Sequence, residues 1–229
     1  MKKYILKEYG SWSVMVMAYL AGILAGGVFN LNAILSLLAL SLFINSKQSF
    51  TLWIRHVDPV RSSMLFIIQI VLASLMLAGI LGEEIFRLLP YILIPAAYVL
   101  LLYFAGEHAI MTEIFGFALL TFSSLIAKFV TTNMIDNRLY IAVAVFFTAS
   151  VFKVKLQLKR KLPERFLMAF YIIFALLVYR VIKVPIVVLL PLIDNVIFSF
   201  TLYKIKLKAT GWLEVIKGMA FLVHIALFS

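Results

Sequence analysis

The sequence predicts an all-α protein, a polytopic bundle of about nine transmembrane helices forming a single integral membrane domain over residues 1–229. Three observations predict it: an excess of apolar residues, their gathering into runs of span length, and the placing of basic residues between those runs. Of the 229 residues, 65% are hydrophobic, and the mean hydropathy is +1.10. A soluble domain is roughly half apolar. A globule of this size cannot hide such an excess, because polar groups must cover its surface. In lipid the outer surface is free to be apolar, and helices satisfy their own backbone groups.

A helix needs about 20 apolar residues to cross a bilayer. Nine runs qualify, near 12–29, 31–45, 63–82, 88–105, 110–130, 139–154, 166–182, 185–203 and 212–228. The second and sixth are short and read as tilted or re-entrant pieces; without one of them the count is eight. The N-terminal run is too long for a signal-peptide core and has no small-residue cleavage site, so it reads as the first span.

The net charge is +11. The charges lie in short runs between apolar stretches, which is the positive-inside pattern and not a nucleic-acid-binding face. With nine spans and a cytoplasmic N-terminus, the inner segments hold Lys2, Lys3, Lys7, Lys47, Arg55, Arg61, Lys153, Lys155, Lys159, Arg160, Lys161, Arg165, Lys204, Lys206 and Lys208. The outer segments and outer helix ends hold Arg87, Lys128, Arg138, Arg180 and Lys183. This asymmetry predicts a multi-pass protein of the cell (cytoplasmic) membrane, with membrane lipids as its immediate partners and no nucleic acid. No cysteine is present, which excludes disulfides, iron–sulfur clusters and thiol catalysis.

Within this frame several segments stand out. Phe50, Trp53, Ile54 and Val57 recur at helical spacing inside the polar stretch 46–62, which predicts an amphipathic helix on the inner leaflet. Gly22, Gly26 and Gly27 allow close helix approach in the first span. Pro90, Pro95, Pro185 and Pro191 predict kinked or broken helices in the fourth and eighth spans.

Ionisable groups inside a bilayer are costly, and each is a candidate for function. Asp194 falls near the middle of the eighth span. Lys217 of the ninth span is the nearest partner, and the pair reads as structural or as functional with equal weight. Glu107, His108 and Glu113 join the fourth and fifth spans on the inner side. They could hold a divalent ion, magnesium among the choices, or could be helix N-terminal acids favoured by the macrodipole. Lys155, Lys159 and Arg160 form a basic cluster suited to an anionic headgroup or a diphosphate, or to topology alone. Lys208 and Glu214 lie in a second such stretch. Glu8 and Trp12 precede the first span, Trp12 as an interfacial anchor.

Taken in order, Tyr9-Gly10-Ser11-Trp12, Glu107-His108 with Thr112-Glu113, Phe152-Lys153-Val154-Lys155 with Lys159-Arg160, and Lys208-Ala209-Thr210-Gly211-Trp212-Leu213-Glu214 resemble the short motifs of the YwiC-like family of membrane proteins. Tyr9 stands where that family carries histidine, His108 where it carries arginine, and Thr112-Glu113 where it carries Asn-Asp. The helical layout of the family is reminiscent of UbiA-type prenyltransferases, whose two Asp-rich motifs have no counterpart here. The family has no settled activity; its UbiA-like layout, with the acids and bases gathered on one membrane face, suggests a transferase of a lipid or isoprenoid diphosphate. In it Glu107, Glu113 and Asp194 would be catalytic, Glu107 and Glu113 would hold magnesium, and Lys155, Lys159, Arg160, Lys208, Glu214, Glu8 and Trp12 would bind substrate. Two other readings stay open. One is a transporter with a midplane site at Asp194. The other is a membrane scaffold without catalysis.

Overall fold

A computed structural model describes Tyr4, Leu6, residues 8–26 and residues 28–228. The expectations that rest on Lys2, Lys3, Lys7 and Gly27 fall outside these described residues. The chain is all-helical, with no strand among the described residues. Among the described residues nine α-helices follow one another: α1 (Tyr9–Gly26), α2 (Leu31–Ile54), α3 (Pro59–Leu81), α4 (Leu93–Ala105), α5 (Ile110–Thr132), α6 (Asn137–Lys159), α7 (Leu162–Val181), α8 (Ile193–Thr201) and α9 (Leu207–Phe228). Two 3₁₀ segments interrupt them, Gly82–Ile92 before α4 and Ile186–Leu192 before α8.

Among the described residues seven helical runs are long and apolar enough to cross a membrane, with Pro59–Ala105 counted as one run, and Ile186–Thr201 is a shorter apolar piece. Several predicted boundaries change. The runs at 31–45 and 139–154, read as short, belong to helices of 24 and 23 residues. Asn30 caps α2 by accepting from the Ala33 amide at 2.9 Å, and Asp136 caps α6 by accepting from Leu139 at 3.0 Å. The amphipathic helix predicted within 46–62 is not a separate element: α2 runs through to Ile54 and α3 starts at Pro59. The reason is aromatic packing. Phe50 and Trp53 lie 5.1 and 6.1 Å from the Phe66 ring of α3, and so find a protein partner in place of lipid.

The proline expectation holds at two of the breaks. Pro90 and Pro191 lie inside the 3₁₀ segments. A proline cannot supply the amide that an α-helix needs, and the chain tightens or breaks there. Pro95 falls in the first turn of α4, where the missing amide costs nothing.

The helices are apolar on the outside as well as the inside. On α7, Phe166, Phe170, Ile173, Leu177 and Val181 are exposed, while Met168, Tyr171, Ala175 and Tyr179 are buried. Both stripes repeat every three or four residues, and the outward one is the more hydrophobic. A water-soluble helix shows the opposite arrangement. The protein is therefore built for an apolar surrounding, a multi-pass membrane protein.

The centre is α6. Of its most apolar stretch 67% is buried, against 11% for the run Pro59–Ala105. The main core joins α6 to α1, α7, α8, α9 and the 3₁₀ segment Ile186–Leu192. The Tyr171 and Tyr179 hydroxyls donate to the Val145 and Ala142 carbonyls of α6, at 2.7 and 2.8 Å. Smaller clusters join α1, α2 and α5, and α2, α3 and α5.

The bundle has two chemically distinct ends. At one, here the basic end, lie the start of α1, the α2–α3, α4–α5 and α6–α7 turns and the α8–α9 connection. At the opposite end Lys128 of α5 pairs with Asp136 at 2.6 Å, and Arg87 donates to Glu84 and to the Asn133 carbonyl. Burial pushes the Asp136 carboxyl up. Hydrogen bonds from Lys128 and from the Leu139 amide, with the Lys128 charge, outweigh it and hold the group below its ordinary 3.8. A depressed carboxylate stabilises the fold above pH 3.8 and loses that contribution as pH falls through the lower folded value. The unfolding midpoint is thus expected to drop in that acid window. Asp136→Asn keeps a capping oxygen and removes the charge, so its acid dependence should be shallower. An unchanged pH profile in this variant would show that Asp136 contributes nothing through its charge.

Candidate functional site

Glu214 and Lys217 lie on α9 at i, i+3, so their side chains share one face of the helix. Their ion pair measures 2.5 Å. Asp194 lies in the first turn of α8, directly after the 3₁₀ segment that contains Pro191. Lys153 projects from α6 into the same space and closes the group.

These four side chains form a quartet of alternating charge. Lys153 contacts Asp194 closely and Glu214 at 3.1 Å. Lys217 contacts Glu214 as above and Asp194 at 3.5 Å. The Tyr203 hydroxyl donates to Asp194 Oδ1 at 2.7 Å. Lys217 Nζ donates to Asn195 Oδ1 at 2.5 Å. The Lys153 side chain has no exposure and that of Lys217 has 8%, whereas Asp194 and Glu214 keep 29% and 25%. The ammonium groups are enclosed and the carboxylates are part-exposed.

Helix geometry sets the depth. Asp194 lies seven residues from the basic end of α8, about 10 Å at 1.5 Å per residue. Lys217 lies ten residues from the start of α9, about 15 Å. A bilayer core is about 30 Å thick, so the quartet sits well inside the bundle, towards its middle. Just on the basic side of it, Gln157 Nε2 donates to the Ile205 carbonyl and Thr210 donates to Gln157 Oε1, both at 2.8 Å. These bonds tie the ends of α6 and α9 together below the quartet.

A second network lies at the basic end itself. Lys47 of α2 pairs with Glu8 at 2.8 Å and with Glu107 at 3.2 Å, and Arg55 also reaches Glu107 at 3.2 Å. Ser11 donates to Glu8 at 2.7 Å. Burial pushes the Glu8 carboxyl up, but the Lys47 hydrogen bond and charge, with the Ser11 bond, hold it below the ordinary carboxylate value. Trp12 Nε1 donates to the Leu6 carbonyl at 3.0 Å, and the Leu6 amide donates to Asn45 Oδ1 at 2.9 Å. Trp12 and Asn45 line an open, mostly apolar groove with Leu38, Ser41, Leu42 and Met76.

The predicted site residues thus fall into separate groups. Asp194 and Glu214 meet in the quartet. Glu8 and Glu107 meet on Lys47, with Trp12 close by along α1. Glu113 pairs with Lys155 at 3.0 Å, and Lys155 also donates to the His108 carbonyl at 3.1 Å. Lys159 pairs with Glu164 at 3.1 Å. Arg160 and Lys208 are exposed. Glu107 and Glu113 go to different lysines, and among the described residues no three His, Cys, Asp or Glu side chains gather as a metal site would. The described residues do not form a cradle for magnesium.

Asp194–Lys217 was legible as a pair from the sequence; Lys153 was not legible as their partner. It reads from the sequence as the first base of the inner run Lys153–Lys161, yet α6 carries it into the core. One signal was available. Phe146, Ala149, Ser150, Lys153 and Gln157 fall at helical spacing on one stripe, so the inward face of α6 turns polar towards its end. Two acids deep in α8 and α9 also required more cationic charge than Lys217 alone supplies.

No family model, no curated protein and no solved structure matches the chain.

Proposed function

We propose that this is a multi-pass carrier of the cell membrane that handles a small polar solute at the quartet of Lys153, Asp194, Glu214 and Lys217. The supporting observation is the gathering of four ionisable side chains, two of them enclosed, at a broken helix. Charges inside a bilayer are retained where they line a path or a binding site. Broken helices near the midplane supply such sites in carriers, with rocking of one helix group against another for access. Here the break at Ile186–Leu192 puts Asp194 and Asn195 on a short α8 that packs on α7 and α6 and meets α9 through Lys217. In this reading Ile186–Thr201 completes a ninth crossing, and the N-terminus and basic end face the cytoplasm.

Two of the elements that resemble the YwiC-like family, Phe152-Lys153 and Lys208 to Glu214, supply one base and one acid to the quartet. The transferase reading draws support from the gathering of Lys155, Lys159, Arg160 and Lys208 at the basic end. It is the less favoured, because Glu107, Glu113, Lys155 and Lys159 are each engaged in an ion pair with another side chain.

The chain has no cysteine, so single thiols can be placed at will. Ser199→Cys lies on the basic side of Asp194 along α8, and Leu192→Cys lies on the other side, both buried. In sealed vesicles a carrier exposes its site to each face in turn. Both thiols are expected to react with a membrane-impermeant maleimide from both faces. Labelling of both from one face alone would sink the carrier reading and favour the transferase.

A further inference from the structure

We infer that the ligand of the quartet is a small zwitterion, carrying one carboxylate-like anion and one ammonium-like cation. The inference rests on the solute-handling reading and adds the chemical class.

Charge balance comes first. The quartet holds two ammonium groups and two carboxylates, net zero, in a low-dielectric setting. The elements around it add no charge: the segment Ile186–Leu192 is wholly apolar, and the α7 tyrosines Tyr171 and Tyr179 spend their hydroxyls on α6 carbonyls. A lone anion or a lone cation entering here would leave an uncompensated charge, which costs several kcal/mol even after relaxation. A ligand of net zero charge avoids that cost.

The placing of donors and acceptors selects among neutral ligands. Asn195 is fully buried, and its Nδ2 has no hydrogen-bond partner among the described residues. Its orientation is fixed chemically. Lys217 has no lone pair to offer, so the amide must turn its oxygen to the ammonium and leave the Nδ2–H groups free. A buried donor without an acceptor is destabilising, which points to an acceptor arriving from elsewhere. The Lys217 ammonium beside it is shared among Asn195 Oδ1, Glu214 and Asp194, so the Asn195 Nδ2 amide is the uncommitted donor there, and the lysine adds positive charge. The opposite sign is the more exposed one. Asp194 and Glu214 keep 29% and 25% of their side chains exposed while both lysines are enclosed. A cationic group approaching the quartet meets carboxylate oxygens first. A buried donor for an anion, part-exposed carboxylates for a cation and no net charge together describe a zwitterion's site.

Two sources share this chemistry, a free amino acid and a zwitterionic lipid headgroup. The depth of about 10–15 Å below the helix ends favours the free solute.

The test is thermal unfolding of the detergent-purified protein with a ligand panel at matched ionic strength. Glycine supplies both groups, sodium acetate the anion alone, methylammonium chloride the cation alone, and a short-chain phosphatidylethanolamine the headgroup. A ligand that binds only the folded state raises the midpoint in a saturable way. Glycine is expected to raise it at low millimolar concentration, with acetate and methylammonium ineffective there. Asn195→Leu should weaken the glycine response about tenfold or more, the loss expected for a hydrogen bond to a charged group. The wild-type panel stands by itself should that variant fold poorly. Acetate or methylammonium acting as well as glycine would overturn the inference, as would no response to any of them. A response to the lipid alone would assign the zwitterion to the bilayer and overturn the free solute. Because binding is read in detergent and access in vesicles, a one-sided thiol pattern with a glycine response would sink the carrier reading and keep the site.

Discussion

Replacing Lys153 by methionine is expected to destabilise the protein by about 3 kcal/mol, the low end of the range for breaking a buried ion pair. The low end applies because Asp194 and Glu214 retain about a quarter of their exposure, so water screens part of the loss. Methionine keeps most of the side-chain volume, which isolates the effect of the charge. The variant leaves two carboxylates facing Lys217 alone, and the excess negative charge has no partner among the described residues. Adding Asp194→Asn restores neutrality with Lys217 and Glu214. The double variant is expected to be more stable than the sum of the single effects predicts, with a coupling of about 1–3 kcal/mol. Chemical unfolding in detergent, followed by circular dichroism, measures both. Additivity within about 0.5 kcal/mol would show that Lys153 and Asp194 do not act as a unit.

The second large effect is steric. At Gly22 an added Cβ would collide with the Ser124 carbonyl oxygen of α5 and come within 2.7 Å of the Ala127 Cβ. Both obstacles are backbone or the first side-chain atom, so neither can swing aside. Small residues at helix crossings permit this kind of approach. Gly22→Ala is expected to cost about 1–3 kcal/mol, the range for overpacking, and Gly22→Leu to separate α1 from α5. Gly218 on α9 supplies the contrast. An added Cβ there would meet the Met17 sulfur and the Phe147 ring edge, the latter at 3.3 Å. Methionine is flexible and can rotate away, so Gly218→Ala should cost less than Gly22→Ala. The same unfolding measurement ranks the two, and the reverse order would refute the account of α1–α5 packing.

Much of the architecture was legible because a bilayer simplifies the code. Each crossing must be a long apolar helix, and the basic residues mark its ends. The runs near 63–82, 110–130 and 212–228 all lie within helices at those places. Legibility failed where a segment had two ways to satisfy itself. Phe50 and Trp53 were amphipathic enough for a membrane surface, but Phe66 of α3 offered them a ring to pack on. The runs at 31–45 and 139–154 looked short because polar residues follow them. In the fold Ser46, Ser49, Lys153 and Gln157 are buried on inward faces, so the helices continue through them.

The sequence by itself determined the solvent. Its apolar excess and its bases between long runs define a helical protein for a membrane, and Pro90 and Pro191 locate the breaks. Those properties are local or compositional and need no partner to be read. Tertiary structure alone decided which charges meet. Lys153, Asp194, Glu214 and Lys217 come from three helices and span 64 positions of the chain, and only the packing of α8 and α9 against α6 brings them within bonding distance. Electrostatic pairing depends on separation in space, and in a low-dielectric core a charge is tolerated only beside its opposite. The same packing parted Glu107 from Glu113, which lie six positions apart in sequence, by giving each its own lysine.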